Sequence, residues 1–300
     1  MDRKSKIGLA CLIFLGVGAL AYSKWEDYRI RKLAAPHLTR VNEESAERLD
    51  EVLRSVDIFF EEAKGRLPNF AGEAFNWGSK WKLIKEKVGY SQDGEHEQHI
   101  KTLFEGKVFS GDDLRKLIEE AVRSFENEIE SLENKMLVSM QIDQTLPKSF
   151  LNLIQEKNEA TLQRMFQQKL MKLMADVHQA TAAEVTADII QTIAAEVLTQ
   201  MTLKMAVYGV AAAAAPATLG ASLVVGLLVD EVITWIFDWY RDPTDSLSRL
   251  LSDKLDEMQQ AILKGSPYGA GLREKLSKYA AKRSKAREEA ILAILKGKQL

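Results

Sequence analysis

The sequence predicts an all-α protein, and three observations carry that expectation. Leu, Ala, Glu, Lys and Gln dominate its 300 residues, six prolines and 17 glycines interrupt them, and Val and Ile rarely alternate with polar residues. Apolar residues recur three and four apart along much of the chain, the spacing of one helix face. From Lys148 to Tyr208 there are 61 residues with neither glycine nor proline. No segment carries a convincing strand pattern, and no repeat of 20–50 residues is present. With 46% hydrophobic residues the chain can bury a real core in one or two domains. The expected architecture is an N-terminal membrane anchor helix, an elongated helical-hairpin or coiled-coil body, an Ala/Gly-rich apolar hairpin or second transmembrane helix, and C-terminal helices.

Residues 1–24 are expected to be the anchor. Arg3, Lys4 and Lys6 precede the uncharged stretch Ile7 to Ser23, which Lys24 closes. That stretch just reaches the roughly 17 residues needed to cross a bilayer. A cleaved signal peptide is the competing reading, with Ala19-Leu20-Ala21 as its small-residue site; a soluble helix is the third. Trp25 and Tyr28 favour the anchor, because aromatic residues prefer the membrane interface. The single cysteine, Cys11, lies inside the stretch, so no intrachain disulfide is possible and the redox compartment is not indicated. Too few apolar residues precede Cys11 for a lipoprotein site.

Residues 25–110 read as a helical region with an aromatic-rich loop. Pro36 marks a break, and Asn42 is placed to cap a helix running to about Lys64. Leu49, Val52, Leu53, Val56, Phe59 and Phe60 would form its apolar face, with Gly65 and Pro68 ending it. Phe70, Ala74, Trp77, Trp81, Ile84 and Val88 then form a second helical stripe, weakened by Gly72 and Gly78. Gly89 to Gly111 holds four glycines, the mark of a loop with one short helix inside it.

Residues 111–204 are expected to form a coiled-coil-like hairpin. Ser110 with Asp113 resembles a capping box, opening a helix to about Gln144. Within it Ile118, Val122, Phe125, Ile129, Leu132 and Met136 alternate four and three apart, a heptad seam. Pro147 stops this arm. Lys148–Tyr208 is the second arm, with at least one bend and a seam of Leu162, Phe166, Leu170, Leu173 and Val177.

Residues 205–240 are the membrane-inserting or buried segment. Met205 to Val229 is 25 positions without a charge, but Pro216 splits it into pieces too short to span. Ala217–Phe237, 21 residues, is the better span at about 31 Å of helix. It carries Asp230 and Glu231, each costing up to about 2.5–3.5 kcal/mol at a membrane centre. Ser222, Gly226, Asp230 and Thr234 recur every four residues, so with Glu231 they form a small, polar packing face toward another helix or copy. Trp235, Trp239 and Tyr240 suit an interface. The rival reading is an Ala-rich helix pair buried in a bundle.

Residues 241–300 are the C-terminal helical tail. Arg241-Asp242-Pro243 restarts a helix from about Thr244 to Lys264, with Leu247, Leu250, Leu251, Leu255, Met258 and Ile262 on one face. Gly265, Pro267, Gly269 and Gly271 make a linker, and the last helix runs from Leu272 to about Lys296. The net charge of -2 hides an asymmetry: Arg273 to Lys298 holds nine Lys/Arg against three Glu. Arg273, Lys275, Lys278, Lys282, Arg283, Lys285 and Arg287 are therefore candidates for contact with anionic headgroups. The rival is a solvated helix whose apolar edge, Leu272, Leu276, Tyr279, Ile291 and Ile294, packs on the bundle. Nucleic acid is not expected, since no aromatic interleaving or recognised fold accompanies the charge.

Catalytic motifs are absent: there is no G-x-S-x-G, Walker loop or G-x-G-x-x-G, and Tyr268-Gly269-Ala270-Gly271 reads as linker. His96 and His99 share a helix face three apart, the one hint of a metal site, but the spacing is not that of H-E-x-x-H. His37 and His178 are expected at the surface or in a seam. No catalytic, cofactor or metal residues are assigned.

The functional expectation is a membrane-anchored structural or assembly protein, not an enzyme, working through protein–protein contacts in an oligomer or membrane complex. Its partners would be membrane lipids and other subunits or copies of itself. The positive-inside rule puts the body from Lys24 to Lys204 on the non-cytoplasmic side, against the vote of Lys24, Arg29, Arg31 and Lys32. The alternative is a membrane-inserting effector, because a long helical hairpin followed by a small-residue apolar hairpin resembles, in layout only, α-helical pore formers and translocators. A metal-binding enzyme is the third class.

Overall fold

The computed structural model describes residues 3–76, 95–143, 158–175, 184–193, 226, 229 and 243–296. For residues 3–23, Glu26, residues 95–97 and residues 243–246 it describes the backbone alone. Of the residues described, 92% are helical and one two-stranded hairpin accompanies them, so the chain is all-α. The helices are α1 (Arg3–Ala74), α2 (Glu95–Lys107), α3 (Gly111–Ile142), α4 (Glu159–Ala175), α5 (residues 184–193), α6 (Pro243–Lys264) and α7 (Leu272–Leu295). Gly226 and Val229 are also helical.

The first helix corrects the sequence reading. The breaks expected at Pro36 and at Gly65–Pro68 do not occur, and α1 continues through all three for 72 residues. An interior proline costs a helix about 3 kcal/mol. Packing outweighs that cost here. Ile30, Ala34 and Val41 are buried on either side of Pro36, as are Ala63, Leu67, Phe70, Ala71 and Ala74 around Pro68. Each large apolar side chain buried contributes about 1.5–3 kcal/mol, while both prolines point to solvent. The stripe thus keeps one helical period across the breakers. After Ala74 the chain turns, Phe75 N–H reaching Ala71 O at 3.1 Å. Trp77, Trp81, Ile84 and Val88 lie outside the described residues.

The start of α3 follows the sequence. Ser110 Oγ accepts from the Asp113 N–H at 3.2 Å, and Asp113 Oδ2 accepts from the Ser110 N–H and O–H at 2.9 and 2.7 Å. These backbone and side-chain hydrogen bonds from Ser110 hold the Asp113 carboxyl below its ordinary pKa. A depressed carboxylate stabilises the fold above its unfolded pKa, near 4, and that contribution is lost as pH falls through the lower folded value. Ser110→Ala is expected to cost about 0.5–2 kcal/mol at neutral pH and to flatten acid unfolding below pH 4, read from melting temperatures across pH 2–7.

Within the expected second arm one helix starts at Glu159, and residues 148–157 lie outside the described residues. Asn158 Oδ1 accepts from the Thr161 N–H at 2.8 Å and caps α4 at Glu159. An asparagine side chain in that position competes for the backbone and starts a helix more readily than it continues one. Of the expected seam in α4, Leu162, Phe166 and Leu170 are buried, Met174 is buried rather than Leu173, and Val177 lies outside the described residues.

The chain divides into two compact units: residues 1–47, 128–179 and 279–300 form the first, and 48–127 with 180–278 the second. In the first, Ile30, Leu132, Met136, Phe166, Ile291 and Leu295 represent a core drawn from α1, α3, α4 and α7. The heptad seam of α3 is fully buried but serves both units, Ile118, Val122 and Phe125 in the second and Ile129, Leu132 and Met136 in the first. In the first unit the seam packs into a core shared by four helices.

In the second unit an aromatic cluster joins α1 to the α2 end: Phe104 meets Phe70 and Phe109 edge-on, both at 5.4 Å, and Phe59 meets Phe109 at 5.4 Å. Leu247, Leu251, Leu255, Met258 and Ile262 bury one face of α6, and Leu250 is partly buried. The expected linker is a tight antiparallel hairpin, β1 (Gly265–Ser266) paired with β2 (Gly269–Ala270). Gly265 has φ +91°, and a Cβ there would stand 2.5 Å from Gly269 O. Glycine is required at that turn.

Among the described residues no helix is long and apolar enough to cross a membrane. That finding does not extend to the side chains of residues 1–23, nor to 205–240 apart from Gly226 and Val229, so both expected insertions lie outside it.

Candidate functional site

The most constrained polar chemistry in the first unit centres on Glu133. It sits on the apolar face of α3, between Ile129 and Met136, and is wholly buried. Two arginines one turn apart on α7 converge on it. Arg283 Nε and Nη2 donate to its two carboxylate oxygens at 2.9 and 2.8 Å, a bidentate fork. Arg287 Nε donates to Oε1 at 3.1 Å and its Nη1 donates to Asn42 Oδ1 on α1 at 2.9 Å. Arg283 also donates to the Tyr279 hydroxyl, and its guanidinium carbon lies 5.8 Å from that ring.

One buried carboxylate thus serves two guanidinium groups. Burial pushes both arginines toward the neutral form. For Arg283 the hydrogen bonds and charge of Glu133 outweigh it and raise the pKa. For Arg287 burial wins, helped by repulsion from Arg283, and the pKa is lowered. Both stay charged in practice, since guanidinium does not deprotonate in proteins. The cluster locks α1, α3 and α7 in register within the unit.

A second polar set lies on the same helices. His37 Nε2 is 2.9 Å from Asp143 Oδ2 and Nδ1 is 2.7 Å from Ser139 Oγ, all three partly buried. With Asp143 accepting from Nε2–H, the neutral ring leaves Nδ1 to accept from the serine hydroxyl. That order resembles a base-activated nucleophile. Acyl transfer also needs donors aimed at a developing oxyanion. Ser139 lies within α3, whose backbone N–H groups are spent on the helix. The trio acts as a clasp between α1 and the end of α3.

Five of the seven residues expected to meet an anionic surface pair with carboxylates of the protein. Arg283 and Arg287 are buried on Glu133. Arg273 pairs with Asp50 at 2.8 Å, Lys275 with Asp188, and Lys278 with Glu274 at 2.5 Å. Lys282 and Lys285 are exposed. Of the expected packing face, Gly226 is helical and half-buried, while Ser222, Asp230, Glu231, Thr234, Trp235, Trp239 and Tyr240 lie outside the described residues. So do the side chain of His96 and all of His178; His99 is half-buried on α2. Among the described residues no group of three or more His, Cys, Asp and Glu is placed to hold a metal ion.

In the second unit a groove of about 340 Å³ is lined by Arg66, Pro68, Asn69, Gly72, Glu73 and Lys107. Its cations are engaged: Arg66 donates to Val108 O at 3.1 Å and to Glu62 at 3.2 Å, and Lys107 to Glu73 at 2.8 Å. The groove therefore offers balanced charge rather than a ligand-selective field.

Sequence reasoning missed Glu133 and read Arg283 and Arg287 as headgroup contacts, although a signal for their pairing exists. Glu133 is four residues after Ile129 and three before Met136, a charge set on an apolar face. On α7 the expected edge jumps from Tyr279 to Ile291, and Arg283 and Arg287 fill the gap at four-residue spacing. Long polar side chains on a buried stripe imply a buried partner. No family model, curated protein or solved structure matches this chain.

Proposed function

We propose that this chain is a membrane-anchored, all-helical structural or assembly protein. The observation that carries the reading is the continuity of α1. One helix runs from Arg3, through the 17 uncharged positions Ile7–Ser23, into the packed core at Ile30 and beyond. Where the uncharged stretch ends, Trp25 and Tyr28 are 54% and 64% exposed. Large aromatic side chains left open to solvent at that place suit the headgroup boundary. The segment 205–240 supplies the proposed second insertion, its polar face turned toward a partner helix. The body then offers helix faces to other subunits or copies of itself.

Alkaline carbonate extraction tests this reading. The full chain is expected to stay in the membrane pellet, and Leu12→Arg with Leu15→Arg to weaken its retention. Release of the unaltered chain would sink the proposal. Full retention of the double variant would assign anchoring to residues 205–240 instead.

A further inference from the structure

Charge in the Glu133 cluster is unequal. Arg283 and Arg287 bring two positive charges to one carboxylate, and their side chains are only 11% and 1% exposed. A buried charge is costly unless an opposite charge meets it. The acids beside Asn42 and Arg287 in the chain do not make up the difference. Glu44 accepts from Arg40 at 2.6 Å and Glu288 pairs with Arg31, while the exposed Glu43 and Glu289 pair with neither arginine of the cluster. Opposite Glu133, what meets Arg287 is neutral: the carboxamide oxygen of Asn42.

The hydrogen bonds point the same way. A guanidinium group carries five N–H donors and no acceptor. All three nitrogens of Arg283 donate, to Glu133 and to the Tyr279 hydroxyl. On Arg287, Nε and Nη1 donate, but Nη2 meets no acceptor among the described residues. Arg287 is also the largest fully buried side chain among them. Burial and the repulsion of Arg283 outweigh Glu133 and lower its pKa, which marks a charge only partly matched. Asn42 is exposed, so the edge of Arg287 that it covers lies next to solvent.

We propose that the junction of Arg287 with Asn42 binds one small monovalent anion of the chloride class. The anion accepts from Arg287 Nη2 and supplies the negative charge that the cluster lacks. A single charge completes it, so a dianion such as phosphate would overshoot. The guanidinium is almost wholly enclosed, so a bulky anion would not reach it. Binding there ties the stability of the first unit to anion concentration, because a ligand held only by the folded state stabilises that state by mass action. The inference does not depend on the anchor reading, since every residue in it belongs to the packed core of the first unit.

The test uses the full chain in non-ionic detergent, with sodium chloride exchanged for sodium gluconate at fixed ionic strength so that screening stays constant. Two quantities are read: the chloride NMR linewidth and the melting temperature by circular dichroism. A saturable excess linewidth is expected, with melting about 2–4 °C higher in saturating chloride than in gluconate. Asn42→Asp sets a fixed negative charge beside Arg287. It should melt above the unaltered chain in gluconate and lose both chloride responses. Arg287→Met leaves Glu133 with Arg283 alone, a balanced pair, and should lose them too. Lys282→Gln/Lys285→Gln removes exposed cations of the same helix and should keep both. An unaltered chain with no chloride response would overturn the site. So would either response persisting in Asn42→Asp or Arg287→Met, or its disappearance in the lysine variant.

Discussion

Replacing Glu133 with glutamine is expected to lower stability by about 3–5 kcal/mol, the cost of breaking a buried ion cluster from one side. The side chain keeps nearly its volume, so no cavity opens. What changes is charge: two guanidinium groups at Arg283 and Arg287 would face a neutral amide in a water-excluded site. Urea unfolding followed by circular dichroism measures the loss, with loss of fluorescence packing as a second probe. A change below about 1 kcal/mol would mean that water reaches the cluster. The triple replacement Glu133→Leu/Arg283→Met/Arg287→Met should recover much of the stability, since a packed apolar trio of similar volume often equals a buried ionic one. Recovery separates the cost of orphaned charge from any general intolerance of change at these positions.

Phe104→Ala should be comparably damaging, at about 3–5 kcal/mol. Phe104 is fully buried and touches Phe70 and Phe109 edge-on. Its removal deletes a large apolar surface and two ring contacts, each worth about 0.5–1.5 kcal/mol beyond burial. Phe104→Leu keeps most of the volume and should lose roughly half as much or less. If both variants unfolded at the same denaturant concentration, the retained volume would contribute nothing and the loss would lie in the ring contacts.

Much of the helical layout is legible in the sequence because apolar spacing reports burial directly. The seam positions of α3 are buried, and the stripe of α6 and the edge of α7 are buried or partly buried, where the three-and-four periodicity puts them. What escapes a local reading is competition between scales. Pro36 argues for one break and Gly65 with Pro68 for a second, yet the apolar stripe of α1 crosses them in phase and its burial is worth more than the breakers cost. Asn158 shows the reverse. In a stretch without glycine or proline, one cap residue sets the start of α4 at Glu159. The clasp of His37 with Ser139 and Asp143 joins residues about a hundred positions apart, and no spacing rule reports that. The Glu133 cluster is intermediate, its members visible as misplaced charges but their meeting invisible.

The separation between Glu133 and its arginines has a consequence during synthesis. Arg283 and Arg287 lie 150 and 154 positions after Glu133. At roughly 5–20 residues per second, a ribosome needs about 8–30 s to make that interval. Throughout it, the carboxylate has been translated without the cations that neutralise it, and the first unit lacks its final segment, Tyr279–Leu300. The nascent chain must therefore keep this part of α3 hydrated or shielded until the last helix emerges. Closure of the first unit then waits on the synthesis of α7, a step that a chain cut before Tyr279 cannot take.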